Sequence, residues 1–190
     1  IDGGCVAALV SHELAVDAPQ VIVADTERAL GAFAAAVQRE RHTKVLAITG
    51  SNGKTSVKTL LLSILQQLGG AYANPGNRNN EIGLPLAVLD APDDARFAVY
   101  EMGAGKPGDI AYLTEIARPD VALVNNIAPA HLERMGSLLG VAETKGAIHD
   151  ALPADGTAVV NADDAFAPYF VERIGARCRR GILRARRGGR

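Results

Sequence analysis

The chain has 190 residues, of which 48% are hydrophobic and 22% charged, which suits one folded domain with a buried core and excludes a disordered class. No stretch approaches the roughly 18 apolar residues of a membrane span, and residues 1–4 lack the basic start of an export signal, so we expect a cytoplasmic protein. The net charge is −1, but residues 173–190 contain eight arginines and no acidic residue. The remaining residues 1–172 therefore carry a charge of −9, and this acidic body argues against a nucleic-acid partner.

The first predicted elements are two short strands and a helix. The apolar runs at residues 5–10 and 21–24 indicate buried strands. Thr26 is predicted to cap an alanine-rich helix that reaches about Arg39. One face of this helix carries Leu30, Phe33, Ala34 and Val37. The polar run at residues 39–42 then indicates a linker.

A regular alternation of strands and helices follows this linker. The predicted strands lie at 44–49, 96–102, 120–126 and 157–161, and the predicted helices at 55–68, 108–117 and 137–152. Strands alternating with helices of this length are typical of an α/β fold with a mostly parallel sheet and flanking helices. Right-handed crossovers bring the carboxyl ends of the strands to one edge, where open α/β sheets bind ligands.

The segment 45–56 indicates a phosphate loop. A buried strand ends at Thr49, a loop with Gly50 and Gly53 follows, and Lys54-Thr55 opens the next helix. Glycines let backbone N–H groups surround phosphate oxygens, while the lysine can reach the outer phosphates and the threonine can ligate magnesium. The helix carries an apolar face of Val57, Leu60, Leu61, Ile64, Leu65 and Leu68. The first glycine of the longer Walker pattern is absent, since Ile48 occupies its position.

Polar residues at two further strand ends are candidates for the same edge. Glu101 follows an apolar strand, and a carboxylate beside a phosphate loop suits Mg²⁺. His131 follows the next strand and is a candidate for metal or phosphate contact, although a lone histidine is usually structural. For Lys145, the residues alone favour a solvated helix lysine. The asparagine-rich segment 74–85 is either a turn-rich loop or a ligand-facing one.

Several motifs in residues 44–172 together resemble the Mur ligases. They occupy residues 49–58, 76–85, 101–104, 118–127, 130–133, 136–137, 145–146 and 161–164. The asparagine-rich part resembles the branch that joins D-alanyl-D-alanine to a UDP-N-acetylmuramoyl-tripeptide in cell-wall synthesis. The resemblance implies that ATP phosphorylates the tripeptide carboxylate, the dipeptide amine attacks the acyl phosphate, and ADP and phosphate leave.

The same resemblance implies roles for individual residues. The ATP site would consist of Gly50, Ser51, Asn52, Gly53, Lys54, Thr55, Ser56 and, near the adenine, Asn161. Mg²⁺ would be held by Thr55, Glu101 and His131, and the muramoyl-peptide would face Asn77, Asn79 and Asn80. The catalytic residues would be Lys54, His131 and Lys145. Lys145 matches a position that several relatives carry as a carbamylated lysine, and whether it is modified here stays open.

The resemblance also implies that this chain carries part of a three-domain protein. Residues 1–40 would be the end of an N-terminal domain for the UDP-substrate, and residues 44–172 an incomplete central ATP-binding domain. The C-terminal ligase domain would be absent. Residues 173–190 do not resemble the family and suggest a truncation or a shifted reading frame. We therefore expect a monomeric fragment that binds nucleotide weakly and does not ligate by itself.

Three alternatives remain at this point. The first is another ATP-dependent amide ligase of the same superfamily, such as a folylpolyglutamate synthase, although the asparagine-rich segment argues against it. The second is a nucleotide-binding module without ligase chemistry. The third is a non-functional remnant. The two cysteines, Cys5 and Cys178, have no metal-ligand spacing and are expected to be free thiols.

Overall fold

The computed structural model describes residues 4–184, in which strands and helices alternate as predicted. The strands are β1 Ala8–Val10, β2 Gln20–Ile22, β3 Lys44–Thr49, β4 Ala71–Ala73, β5 Phe97–Glu101, β6 Val121–Val124, β7 Thr157–Asn161 and β8 Arg179–Leu183. The helices are α1 Thr26–Glu40, α2 Lys54–Gln66, α3 Gly83–Leu89, α4 Asp109–Ala117, α5 Leu132–Met135, α6 Leu138–Asp150 and α7 Ala167–Ile174. The α/β class is confirmed.

Six strands form one parallel sheet in the order β4-β5-β3-β6-β7-β8. The chain enters at β3, builds β4 and β5 on one side, and then crosses to β6, β7 and β8 on the other. Ligands bind at such a reversal because the loops on either side diverge and leave a crevice. The phosphate loop follows β3, between Glu101 at the end of β5 and Val124 at the end of β6. The topology thus brings three predicted site segments together.

The two faces of this sheet are covered unequally. Alternate strand residues such as Val45, Tyr100 and Val160 pack in the larger core beneath α1, α3, α4, α6 and α7. The other face carries Ile48, Val99 and Leu123, which pack against α2. Each fully buried aliphatic side chain contributes about 1.5–3 kcal/mol. Most of the hydrophobic stabilisation therefore comes from the face with five helices.

The N-terminal elements divide between two environments. β1 and β2 form their own two-stranded parallel sheet. By contrast, α1 packs against α3 and α4, and its Ala34 belongs to the larger core. Asp25, and not the predicted Thr26, caps α1, because its carboxylate accepts the N–H groups of Glu27 and Arg28 at 2.9 and 3.0 Å. α1 is thus physically part of the central body.

The predicted apolar face of α1 is only partly buried. Phe33 is 60% exposed, whereas Gly31, Ala34 and Gln38 are buried. A Cβ atom on Gly31 would lie 2.1 Å from the hydroxyl oxygen of Tyr112 on α4. The helices therefore approach each other through small residues, which turns the large aromatic side chain outward.

The predicted apolar face of α2 is also wrong in part. Leu60, Ile64 and Leu68 are more than half exposed, while Leu65 contacts the sheet. The helix is the only one packed on its face of the sheet in the described part of the chain, so a narrow stripe suffices for contact. The charged Lys58 is buried instead, at 6% exposure.

The regular structure continues past the boundary predicted at residue 172. α7 ends at Ile174, and β8 pairs in parallel with β7 from Arg179 to Leu183. The side chain of Arg173 donates to Asp150 and to the carbonyl of Glu143 on α6. The expected end of the central domain at residue 172 is therefore wrong. Arg186, Arg187 and Arg190 of the predicted tail, like residues 1–3, lie outside the described residues.

Among the described residues, no helix combines the length and apolar character needed to cross a membrane. Cys5 and Cys178 are free thiols, as predicted.

Candidate functional site

The phosphate loop is a tight turn between β3 and α2. Gly50 and Gly53 have φ angles of 153° and 73°, which side-chain-bearing residues rarely adopt. A Cβ atom on Gly53 would also lie 2.9 Å from the side-chain amide of Asn125. Both glycines are therefore required by the backbone path.

Two asparagines after β6 fix one half of this loop. The side chain of Asn126 accepts the N–H of Asn52 at 2.9 Å and donates to its carbonyl at 3.1 Å. Asn125 donates to the same carbonyl at 2.8 Å, and the N–H of Ser51 donates to the carbonyl of Asn126. The Ser51 hydroxyl is also engaged, with the backbone of Ala128. The backbone N–H groups of Ser51 and Asn52 thus already have acceptors.

The other half of the loop keeps its donors free. The first helical hydrogen bond runs from Val57 N to Gly53 O. The N–H groups of Gly53, Lys54, Thr55 and Ser56 precede it and have no acceptor within residues 4–184. These groups and the positive end of the helix dipole suit phosphate oxygens. We therefore expect the backbone contacts to phosphate to come from residues 53–56.

Lys54 lies folded over its own loop. Its ammonium donates to the carbonyl of Gly50 at 2.9 Å and that of Ser51 at 3.5 Å. These are weak partners for a cation compared with a phosphate oxygen. The side chain also lines the cavity beside the loop, so a bound phosphate is within its reach.

Glu101 is buried directly behind the phosphate loop. One carboxylate oxygen accepts the Thr55 hydroxyl at 2.9 Å and lies 3.4 Å from the Lys58 ammonium. The other oxygen accepts the side-chain amide of Asn79 at 2.9 Å. This arrangement follows from the register of β5 with β3, which pairs Glu101 with Ile48 just before the loop.

The asparagine-rich segment joins this cluster through Asn79 and through Asn74, which the sequence did not single out. The Asn74 side chain accepts the Glu101 N–H and donates to the Glu101 carbonyl, so it extends the ladder of β4. The Asn80 side chain accepts the N–H of Gly83, the first residue of α3, and Asn80 also lines the cavity. Asn77 is exposed and is not a lining residue.

A cavity of about 380 Å³ opens beside the phosphate loop. It contains the three predicted catalytic residues, Lys54, His131 and Lys145. Its other lining residues include Asn79, Asn80, Glu81, Lys106, Asp109 and Arg134. Four cationic side chains face two carboxylates, and Asp109 already accepts the N–H groups of Gly105 and Lys106. The excess of positive charge favours an anionic ligand.

Lys145 is buried, which contradicts the solvated lysine that the residues alone favoured. It is 3% exposed and has no hydrogen-bond acceptor or ion-pair partner among the described residues. Burial, and secondarily the positive charge of Lys54, lowers the pKa of Lys145 to about 8. More of this amine is therefore neutral near physiological pH than of an ordinary lysine, although most of it stays protonated.

His131 lies at the start of α5 in a left-handed conformation, with φ of 51°. A non-glycine residue rarely adopts this conformation without a local reason. Its carbonyl accepts the N–H groups of Arg134 and Met135, while its ring lines the cavity. No hydrogen bond joins it to Thr55 or Glu101, so its part in a metal site stays a prediction.

Asn161 links the ends of β6 and β7. Its side chain donates to the Asn125 carbonyl at 2.8 Å and accepts the N–H of Asp163. It is not a lining residue of the cavity. The structure thus gives it a supporting position behind the asparagines that hold the phosphate loop, and adenine contact stays a prediction.

The oxygen ligands fit a magnesium ion in part. Thr55 and Glu101 supply a hydroxyl and a carboxylate 2.9 Å apart, which are hard ligands of the kind that Mg²⁺ prefers. Within residues 4–184, no three His, Cys, Asp or Glu side chains cluster as a protein metal site. Such a pair suits an ion that completes its shell with water and phosphate oxygens.

Comparison with known proteins is consistent with this geometry. The family described as "Mur ligase middle domain" matches residues 48–184. The UDP-N-acetylmuramoyl-tripeptide--D-alanyl-D-alanine ligase of Escherichia coli (strain K12) is 48% identical over 162 residues, which cover 85% of this chain and 36% of that relative. The chain thus spans about a third of the length of this relative.

Solved structures give the same result for the fold. A crystal structure of MurF from Acinetobacter baumannii matches 99% of this chain and 41% of its own, with a TM-score of 0.90 and 34% identity. The MurF ligase of Thermotoga maritima in complex with ADP matches 96% of this chain and 42% of its own, with a TM-score of 0.82 and 31% identity. The family match to residues 48–184 includes β8, which supports the corrected C-terminal boundary.

Proposed function

This chain belongs to the Mur ligase family, whose middle domain it carries, and from that premise we propose that its cavity binds ATP with Mg²⁺. In the longer protein, this site would drive the joining of D-alanyl-D-alanine to a UDP-N-acetylmuramoyl-tripeptide. The substrates are those in the name of the Escherichia coli relative. Residues 1–40 would be the C-terminal part of the UDP-substrate domain, with α1 packed against the central domain. We further propose that the protein acts as a monomer in the cytoplasm.

One observation carries the proposal. Lys54, His131 and Lys145, which come from three separate chain segments, line a single cavity with Asn79 and Asn80. This cavity adjoins the free N–H groups at the start of α2. A polyphosphate and a carboxylate-bearing peptide can therefore meet in one place. The ADP complex of the Thermotoga maritima relative supports a nucleotide as one of the two ligands.

The reaction requires two substitutions. The carboxylate oxygen of the tripeptide attacks the γ-phosphorus of ATP, and the bond to ADP breaks. The dipeptide amine then attacks the acyl carbon, loses a proton, and displaces inorganic phosphate to leave an amide. Both steps concentrate negative charge on phosphoryl oxygens, so positioned cations and N–H donors accelerate them.

The residues of this chain would bind and orient the reactants. The N–H groups of residues 53–56 hold the phosphates, and Lys54 exchanges its two carbonyl partners for phosphoryl oxygens. Thr55 and Glu101 would hold Mg²⁺, which when bound supplies positive charge to the phosphoryl group. Asn79 and Asn80 would orient the peptide carboxylate.

Lys145 has two possible chemical forms under this proposal. As an ammonium it adds positive charge beside Lys54. As a neutral amine it can add carbon dioxide, lose a proton and become a carbamate, which places a carboxylate on the cavity wall. The pKa lowered to about 8 supports the second form, because only the neutral amine reacts. Isotope-labelled bicarbonate would give a carbonyl NMR signal that is lost in Lys145→Met.

Isothermal titration of the chain with ATP and Mg²⁺ tests nucleotide binding. We expect saturable binding that Lys54→Ala weakens at least about tenfold, since a charge-assisted contact is lost. Absence of binding by the wild-type chain would contradict the proposal.

A ligation assay of the longer protein with alternative acceptors tests the substrates. Turnover with a folate and glutamate in place of the tripeptide and dipeptide would instead favour the folylpolyglutamate synthase alternative. Nucleotide binding without any carboxylate-dependent release of ADP would favour a binding module.

A further inference from the structure

We propose that Lys58 is a positioning residue that fastens the segment 74–80 to the phosphate-loop helix and opposes cation binding at Glu101 until a nucleotide arrives. The proposal deepens the proposed function and rests on it for the identity of the ligands. The Lys58 side chain is buried one turn after Thr55 and is not a lining residue of the cavity.

The Lys58 ammonium makes two hydrogen bonds and one ion pair. It donates to the carbonyl of Asn74 at 2.9 Å and to that of Gly76 at 3.0 Å, and it lies 3.4 Å from a Glu101 carboxylate oxygen. Two of its three N–H donors have hydrogen-bond acceptors, and the nearby carboxylate neutralises its charge. Two of the three partners are main-chain carbonyl oxygens. Lys58 therefore fixes the backbone path of the segment 74–80 and not merely the position of one side chain.

The contacts form a closed ring around Glu101. Lys58 holds the start of the segment, and Asn79 near its end donates to the second oxygen of Glu101 at 2.9 Å. The side-chain amide of Asn74 pairs with both the N–H and the carbonyl of Glu101. A displacement of the segment must therefore move the carboxylate, and with it the Thr55 contact. Through this ring Lys58 connects the peptide-facing asparagines to the phosphate loop.

The charge of Lys58 has a second consequence. Its ammonium is closest to the carboxylate oxygen that also accepts the Thr55 hydroxyl. A divalent cation between Thr55 and Glu101 would meet the like charge of Lys58, which is buried 3.4 Å from the same carboxylate oxygen. Phosphate oxygens bring the negative charge that offsets this repulsion. The cation should consequently bind well only together with the nucleotide.

The experiment compares the wild-type chain with Lys58→Met in the absence of nucleotide. Hydrogen exchange at residues 74–80 is measured without metal, and Mn²⁺ is titrated as the probe by electron paramagnetic resonance. We expect exchange in the segment to accelerate about tenfold or more, because its tie to α2 is lost. We also expect Mn²⁺ to bind about tenfold more tightly, because the repulsion is gone.

Lys44→Met is the matched control. Lys44 is also paired with a carboxylate, that of Asp120 at 2.8 Å, but it lies at the start of β3, at the other end of that strand from the phosphate loop. Its loss should change neither readout. Exchange in residues 74–80 that stays within twofold of the wild type in folded Lys58→Met would overturn the proposal. An equal acceleration in Lys44→Met would also overturn it.

Two further variants keep the test decisive if Lys58→Met does not fold. Lys58→Met/Glu101→Gln removes both buried charges, and its segment should still exchange faster than that of Glu101→Gln alone. Lys58→Cys, in a Cys5→Ser/Cys178→Ser background, can be alkylated with bromoethylamine while unfolded and then refolded. The restored ammonium should return both readouts toward the wild type. Failure of the wild-type chain to bind ATP would contradict the proposed function. It would not change the hydrogen-exchange comparison, which is made without nucleotide.

Discussion

Lys58 and Lys145 are buried to a similar extent, at 6% and 3% exposure, in opposite chemical surroundings. The region of Lys58 offers its ammonium two carbonyls and a carboxylate. The region of Lys145 offers no acceptor within the described residues and places the charge of Lys54 nearby. The first lysine therefore completes the fold, whereas the second leaves a charge that a ligand or a modification can satisfy. Burial of a cation alone does not distinguish structure from chemistry, but its partners do.

Removal of Lys58 should produce the largest effect. Lys58→Met leaves the Glu101 carboxylate buried without its cation, which typically costs about 3–5 kcal/mol. Urea unfolding followed by circular dichroism measures this loss. Lys58→Met/Glu101→Gln should recover a large part of it. A loss below about 1 kcal/mol in Lys58→Met would remove the contrast between the two lysines.

Removal of Lys145 should act in the opposite direction. The difference between its usual pKa of 10.5 and about 8 in the folded chain corresponds to about 3 kcal/mol. Below pH 8 both states are protonated and the folded state carries this cost in full. Between pH 8 and 10.5 the unfolded state binds more protons, so wild-type stability rises with pH. Lys145→Met should be more stable at pH 7 and lack this rise.

Unfolding curves of the wild type and Lys145→Met at several pH values measure this difference. It should shrink as the pH rises and vanish above pH 10.5, because the wild-type lysine is then neutral in both states. Lys106→Met, which removes another cavity lysine, is the control and should follow the wild type. A destabilised Lys145→Met at pH 7 would mean that Lys145 has an acceptor after all.

Loss of the hydrogen bonds from Asn125 and Asn126 should change the free energy of unfolding by less than removal of either buried lysine. Asn126→Ala removes both side-chain bonds to the backbone of Asn52, at an expected cost of about 1–3 kcal/mol. It should accelerate exchange of the Asn52 amide and weaken ATP binding severalfold, since the loop is no longer preformed. Asn125→Ala, which loses one bond, should have the smaller effect. Equal exchange in all three chains would contradict the role assigned to these asparagines.

The smallest expected effect is on the pH dependence of nucleotide binding. A phosphate near Lys145 favours its charged form, so ATP should bind more weakly as the pH rises above the pKa of about 8. Isothermal titration at pH 7 and pH 9 should show a decrease of a few fold in the wild type. Lys145→Met should show no such decrease beyond that of the buffer control. A stronger affinity at pH 9 would indicate that the carbamate form binds the nucleotide.

Local sequence patterns predicted much of this molecule because their physical causes are local. The glycines of the phosphate loop, the apolar run of β3 and the alternation of strands and helices depend on backbone geometry and short-range periodicity. Parallel strands also share one edge, so the convergence of Lys54, Glu101 and His131 segments could be expected. The elements missed were short, such as α3 and α5, or masked by charge, such as β8.

Partners distant in sequence decided the remaining features. Whether Lys58 or Leu60 faces the sheet depends on how few helices cover that face, and no window of α2 contains that information. The bonds from Asn126 to Asn52 join residues 74 positions apart. The sequence by itself determined a glycine loop between a parallel strand and a helix, through local backbone chemistry. Only the tertiary structure decided which buried lysine has acceptors among residues 4–184 and which does not, because desolvation and pairing depend on neighbours that folding alone assembles.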